Sequence, residues 1–112
     1  MRKTQTAIKQ NCPIGATLKI LSGKWKVLIL FSLYDGTKRF NELRREIPNI
    51  TQRMLTNQLR ELEEDKIINR KVYPEVPPKV EYSLTDIGKT LGPVFERLKT
   101  WGECYIKMVG SE

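Results

Sequence analysis

Apolar residues recur along the chain with two different periods, and the change from one to the other predicts where helices give way to strands. Residues 14–21 and 25–33 both read as helical, with Ser22-Gly23 between them as a break. The second stretch, WKVLILFSL, is apolar nearly all round, the pattern of a helix at the centre of a small domain. Trp25, Leu28, Ile29 and Leu33 are expected on its buried face, and Asp35-Gly36 ends it. Next, Phe40, Leu43 and Ile47 fall at i, i+3 and i+7, and Pro48-Asn49 closes that short helix. From 51 to about 64, Leu55, Leu59 and Leu62 fall at i, i+4 and i+7, predicting a second amphipathic helix across a tight turn. Two such helices in that order form a helix-turn-helix.

Beyond Lys66 the period becomes two. Ile68, Arg70 and Val72 alternate with Asn69, Lys71 and Tyr73; Val80, Tyr82 and Leu84 alternate with Glu81 and Ser83. The two runs flank Pro74-Glu75-Val76-Pro77-Pro78, and prolines that lack N–H groups suit a turn. The pattern predicts a two-stranded wing beside the second helix of the motif. The fold class expected is therefore α+β, mainly α, a winged helix-turn-helix. A last helical stretch starts at Thr85, a candidate N-cap, and carries Ile87, Leu91, Val94, Leu98, Trp101, Tyr105 and Met108 at alternating spacings of four and three. That heptad is the seam one helix offers another. Gly92-Pro93 interrupts it, so a kink or a junction of two helices is expected near Pro93. Residues 94 to 108 are expected to form much of a homodimer interface, with Val94, Leu98, Trp101, Tyr105 and Met108 at the seam.

The organisation that follows is an N-terminal arm (1–13), a winged helix-turn-helix (14–84) and a C-terminal helical dimerisation segment (85–112), together one compact domain. The chain of 112 residues suits that count, and its small size makes added stability from oligomerisation a reasonable expectation.

Charge sharpens the picture. The net charge of +7 is one-sided: residues 1–56 carry +8 and residues 57–112 carry −1. A one-sided basic excess attracts a polyanion. The exposed face of the helix at 51–64 offers Gln52, Arg53 and Thr56 near its start and Asn57 and Arg60 on the same side, with the acidic Glu61, Glu63, Glu64 and Asp65 only toward the far end. Arg bonds guanine edges bidentately, Gln does the same for adenine, and a helix N-terminus favours phosphate. Arg70, Lys71 and Lys79 on the wing are candidates for neighbouring phosphates. The competing reading is a winged helix that docks an acidic partner protein through the same basic half.

The absence of His from the sequence removes the imidazole that Ser-His-Asp and Cys-His activation and the usual His-containing zinc sites require. There is no Gly-rich phosphate loop and no Cys-x-x-Cys, so neither an enzyme, a metal nor a cofactor is expected. No apolar run reaches the roughly 18 residues of a membrane span, and residues 1–13 lack the hydrophobic stretch of a signal peptide. A cytoplasmic protein with reduced thiols, without membrane attachment, is expected. Cys12 precedes a helix start, where the helix dipole and Lys9 favour the thiolate. A small side chain packed under that helix is the plainer role for it.

In this order, Gly23-Lys24-Trp25, Arg39-Phe40, Ile47-Pro48 with residues 51–55, residues 59–63, Pro74-Glu75-Val76-Pro77-Pro78 with Val80-Glu81-Tyr82, residues 84–88 and Trp101 resemble the HxlR-type transcriptional regulators, a branch of the bacterial winged-helix proteins. The likeness spans residue 12 to about 103. It implies a dimeric cytoplasmic DNA-binding regulator whose recognition helix, here 51–65, enters the major groove with Thr51, Gln52, Arg53 and Thr56 facing the bases. Arg39 resembles a position suited to a phosphate. Cys12 matches the place of a cysteine through which several relatives sense oxidants or electrophiles. Cys104 lies beside the seam, and an intersubunit Cys12–Cys104 disulfide is conceivable.

Overall fold

The computed structural model describes residues 12–110; the arm through residue 11, with Lys9, and residues 111–112 lie outside the described residues. Among the described residues, six helices and three strands follow in the order α1 (Pro13–Leu21), α2 (Lys26–Tyr34), β1 (Lys38–Arg39), α3 (Phe40–Glu46), α4 (Gln52–Glu64), β2 (Ile68–Tyr73), β3 (Lys79–Leu84), α5 (Asp86–Lys89) and α6 (Gly92–Val109). This is the mainly helical α+β winged helix-turn-helix that the two periods predict.

Each boundary has a local cause. Gly23 separates α1 from α2 at φ +93°, and Gly36 follows α2 at φ +144°, where its N–H donates to the Leu33 carbonyl (3.0 Å). Between α3 and α4 the turn is made by Asn49 at φ +71°, a conformation Asn tolerates better than other side chains. The Val76–Pro77 peptide bond at the wing tip is cis. Pro93 sits in the first turn of α6, where its missing N–H has no intrahelical partner to lose. The junction at 92–93 is therefore a break between two helices and not a kink within one.

Ile29, Leu30 and Leu33 of α2 meet Leu43 and Ile47, then Leu55, Leu59 and Leu62 of α4, and Ile68, Tyr82 and Leu84 of the sheet, in one core. The expected burial of α2 needs correction: Leu28 is exposed and Trp25 only partly buried, whereas Leu30, Ser32 and Lys26 are buried. An all-round apolar helix has no face that its own sequence marks as inward, so its partners decide the orientation.

The wing also gains a strand that periodicity missed. Strand β1 pairs antiparallel with β3 (Lys38 opposite Tyr82, Arg39 opposite Glu81), giving the order β1-β3-β2. Strands β2 and β3 pair from Ile68 opposite Leu84 to Tyr73 opposite Lys79. Through β1 the start of α3 is bonded to the wing, which fixes the wing against the helix-turn-helix.

At the C-terminal end, α6 joins the core through Phe95, which packs edge-on against the rings of Phe31 and Tyr34 at centroid distances of 6.1 Å each. Of the α6 residues only Gly92 and Phe95 are buried, and α1 buries none. The radius of gyration is 16.2 Å, against roughly 13 Å for a compact domain of about 100 residues.

Candidate nucleic-acid interface

Helix α4 presents its polar side as the spacing requires. Leu55, Leu59 and Leu62 are buried, and Gln52, Arg53, Thr56, Asn57 and Arg60 are exposed. Arg53, Thr56, Asn57 and Arg60, three or four residues apart, lie on one stripe. Thr51 is the N-cap, and the Met54 N–H donates to its hydroxyl oxygen (3.0 Å). Its side chain is thus committed first to shaping the helix start. Met54 is exposed there as well, an apolar side chain suited to a thymine methyl that residue-type reasoning about polar faces passed over.

Two shallow grooves link α4 and α3 to the wing. Thr56, Arg60 and Glu63 of α4 line one together with Arg70 and Tyr82 of the sheet. Arg39 before α3, Asn41 and Glu42 in its first turn and Arg45 in its last line the other together with Pro77, Pro78 and Lys79. The structure therefore brings Arg60 to Arg70 and Arg39 to Lys79, pairs whose members stand 10 and 40 positions apart in sequence. Arg45 joins the second pair; nothing but its basic character flagged it in the sequence.

Not every expected cation is equally available. The Lys79 ammonium lies 4.3 Å from the centre of the Tyr73 ring and 3.8 Å from Glu81, and Tyr73 donates to Glu81 (2.9 Å). Lys71 approaches the same ring at 4.9 Å. Lys79 is thus part of the brace at the base of the wing tip. Arg39 caps α3 by donating its backbone N–H to Glu42 (2.7 Å), and its side chain is exposed.

Two ion pairs stabilise this frame. The buried Lys26 of α2 reaches Glu61 of α4 at 2.7 Å. Lys38 of β1 bonds both carboxylate oxygens of Glu46 (2.7 and 2.6 Å), and Ser32 donates a further short bond to the same group. The Lys38 and Ser32 hydrogen bonds hold the Glu46 carboxyl below its ordinary range. Glu61 and Glu46 hold the motif's helices in place, a role that sequence reading, which assigned Glu61 only to the acidic far end, did not assign.

Cys12 is the partly buried N-cap residue of α1, and Cys104 is exposed on α6. The seam residues Val94, Leu98, Trp101, Tyr105 and Met108 are all exposed, with Trp101 stacked on Tyr105 at 5.3 Å. Among the described residues no group of three or more acidic or thiol ligands is placed to hold a metal ion, and no helix is long and apolar enough to cross a membrane.

Known proteins resemble this arrangement over most of its length. An uncharacterized HTH-type transcriptional regulator of Bacillus subtilis strain 168, YdeP, is 60% identical over 96 residues, covering 86% of this chain and 75% of the relative. The solved structure of the redox regulator HypR in its reduced form matches with a TM-score of 0.83 at 54% identity, over 89% of this chain and 99% of that one. HypR in its oxidized form matches at 0.78 and 58% identity, over 83% and 96%. The model of the HxlR-like helix-turn-helix family matches residues 20–109. With that match on a winged motif whose second helix carries a free polar stripe, the chain belongs to the HxlR-like helix-turn-helix family, whose members are DNA-binding transcriptional regulators and not enzymes.

Proposed function

We propose that two copies of the chain pair through α6 and set their α4 helices in successive major grooves of a palindromic operator, about 34–36 Å apart. The observation that carries this is the α4 stripe: Arg53, Thr56, Asn57 and Arg60 stand exposed on a helix capped by Thr51, with Gln52 at its first turn. Arg53 and Gln52 read base edges. Arg60 with Arg70, and Arg39 with Lys79, take phosphates on either side. The seam Val94, Leu98, Trp101, Tyr105 and Met108 is apolar, exposed and on a helix that buries little of itself within one chain, which suits a second copy.

The same reading gives the regulator a thiol input. HypR is a redox regulator solved in both reduced and oxidized forms, and this chain carries Cys12 at the start of α1 and Cys104 on α6. Oxidation or electrophile capture at Cys12 acts at the start of a helix whose core contacts, Ile20 and Leu21, are partly buried and lie at its far end, so its Cys12 end can shift at lower cost than a core helix.

The test is an anisotropy titration against the intergenic duplex upstream of the chain's own gene and a scrambled duplex, with and without diamide. Sequence-selective, salt-dependent binding that oxidation abolishes in the wild type and not in Cys12→Ser is expected. Equal weak binding to that duplex, to its scramble and to a set of genomic fragments overturns DNA reading and favours an acidic partner protein.

A further inference from the structure

The wing tip differs chemically from its own base. Val76 is 100% exposed at the apex of Pro74–Pro78. A lone exposed valine is ordinary on a protein surface, so its setting decides its meaning. Three of the five tip residues are prolines without an N–H, and the Glu75 N–H is already donated to the Tyr73 carbonyl at 2.8 Å. The tip thus has few donors to desolvate and few with which to read acceptors. Below it, Tyr73, Glu81, Lys71 and Lys79 form the brace described above, and Arg39 and Arg45 line the adjoining groove. The basic side chains are at the base of the wing tip, and the apolar residue stands at its apex.

Distance agrees. Arg70 shares its groove with Arg60 of α4; β2 carries the chain about 10 Å further to Tyr73, and the tip adds the three residues to Val76. Half a turn of duplex, the step from a major groove to the next minor groove, is roughly 17 Å. We propose that Val76 is a specificity-determining wedge that enters the minor groove flanking each half-site and selects base steps that open easily there. It rests on the DNA-reading assignment of α4. An apolar side chain in a minor groove partly unstacks a base step, and flexible pyrimidine–purine steps and A·T pairs admit it at lower cost than G·C pairs, whose 2-amino group occupies the groove floor. Glu75 opposes entry through its charge; Arg39, Arg45, Lys71 and Lys79 at the base outnumber the Glu42 and Glu81 carboxylates beside them and offset it.

The experiment is selection from a random duplex library by the full chain, run in parallel for the wild type, Val76→Ser, Val76→Leu and Arg53→Ala. The wild type is expected to enrich a half-site core and, roughly five base pairs from its centre, flexible or A·T steps. Val76→Ser keeps the core and loses the flanking preference, with affinity for A·T-flanked over G·C-flanked sites falling from roughly tenfold to near parity; Val76→Leu keeps both. Arg53→Ala does the reverse, losing core information. An unchanged flank in Val76→Ser, or a wild-type core with no flanking preference, overturns the wedge and leaves α4 reading intact. A wild type that enriches no sequence overturns both.

Discussion

Lys26 Nζ lies 2.7 Å from Glu61, joining a lysine side chain that is only 7% exposed to a glutamate that is 53% exposed. The pair ties α2, the centre of the core, to α4, the helix that carries the polar stripe. Its asymmetry sets what substitution does. Glu61→Gln leaves a buried ammonium with a weaker partner and is expected to cost about 1–2 kcal/mol, discounted because the carboxylate is half in water. Lys26→Met removes the buried charge while keeping the stem, and is expected to cost less. Urea unfolding of the two variants checks the order; a larger loss for Lys26→Met contradicts it.

Gly88 is held against the sheet by backbone. Its N–H donates to the Thr85 hydroxyl (3.1 Å), and that hydroxyl and the Thr85 N–H both bond the Ile67 carbonyl (3.0 Å each). A Cβ at position 88 collides with that carbonyl oxygen. Gly88→Ala should cost about 1–3 kcal/mol by overpacking, seen as a lower thermal midpoint, whereas Gly102→Ala, whose Cβ meets nothing within 4 Å, should not be destabilising.

Glu46 gives the fold an acid limit. Its pKa is lowered in the folded protein by Lys38 and Ser32, so its contribution is fully present above the carboxyl's unfolded value and is lost as pH falls through the folded one. Urea midpoints of wild type and Glu46→Gln are expected to differ near neutrality and to converge as pH falls through and below the ordinary carboxyl range. A difference that stays constant across that range excludes the linkage.

Leu98 and Trp101, half or more exposed on α6, test the pairing of copies. Leu98→Glu should shift sedimentation at micromolar protein from dimer to monomer, and weaken operator binding without altering the helical circular dichroism of the rest. A wild type that sediments as a monomer there removes the α6 interface.

Arg70 stands on β2 beside Arg60, and among the described residues no carboxylate lies within ion-pair distance of it, whereas Lys79 is engaged with Tyr73 and Glu81. Arg70→Ala should lower the slope of log affinity against log salt by roughly one and weaken all duplexes alike. Lys79→Ala should change the slope less, because its charge is already partly compensated.

The elements with a cap and a clean period were legible from sequence. In α4 both were present, Thr51 at the start and three leucines on one face, and the helix spans the residues expected. The strands β2 and β3 alternate long enough to show period two. Strand β1 could not be read, since two residues, Lys38 and Arg39, have no period and owe their extended form to the β3 edge. For α2, an apolar residue at almost every position hides the direction of the core, which is why Leu28 was misplaced. The exposure of the candidate residues on α4 was legible one by one, but not their groupings: Arg39 and Lys79, or Lys26 and Glu61, meet only after the sheet and helices close. The engagement of Lys79 with an aromatic ring left no trace in local sequence.

Helix α1 buries no residue and α6 only Gly92 and Phe95, so an unpaired chain holds both with little of its own core. Segments of that kind open first and are where proteases begin. Under the proposed pairing through α6, unpaired subunits are the ones exposed to removal and paired subunits are shielded, so the amount of intact regulator rises more steeply than in proportion to its synthesis.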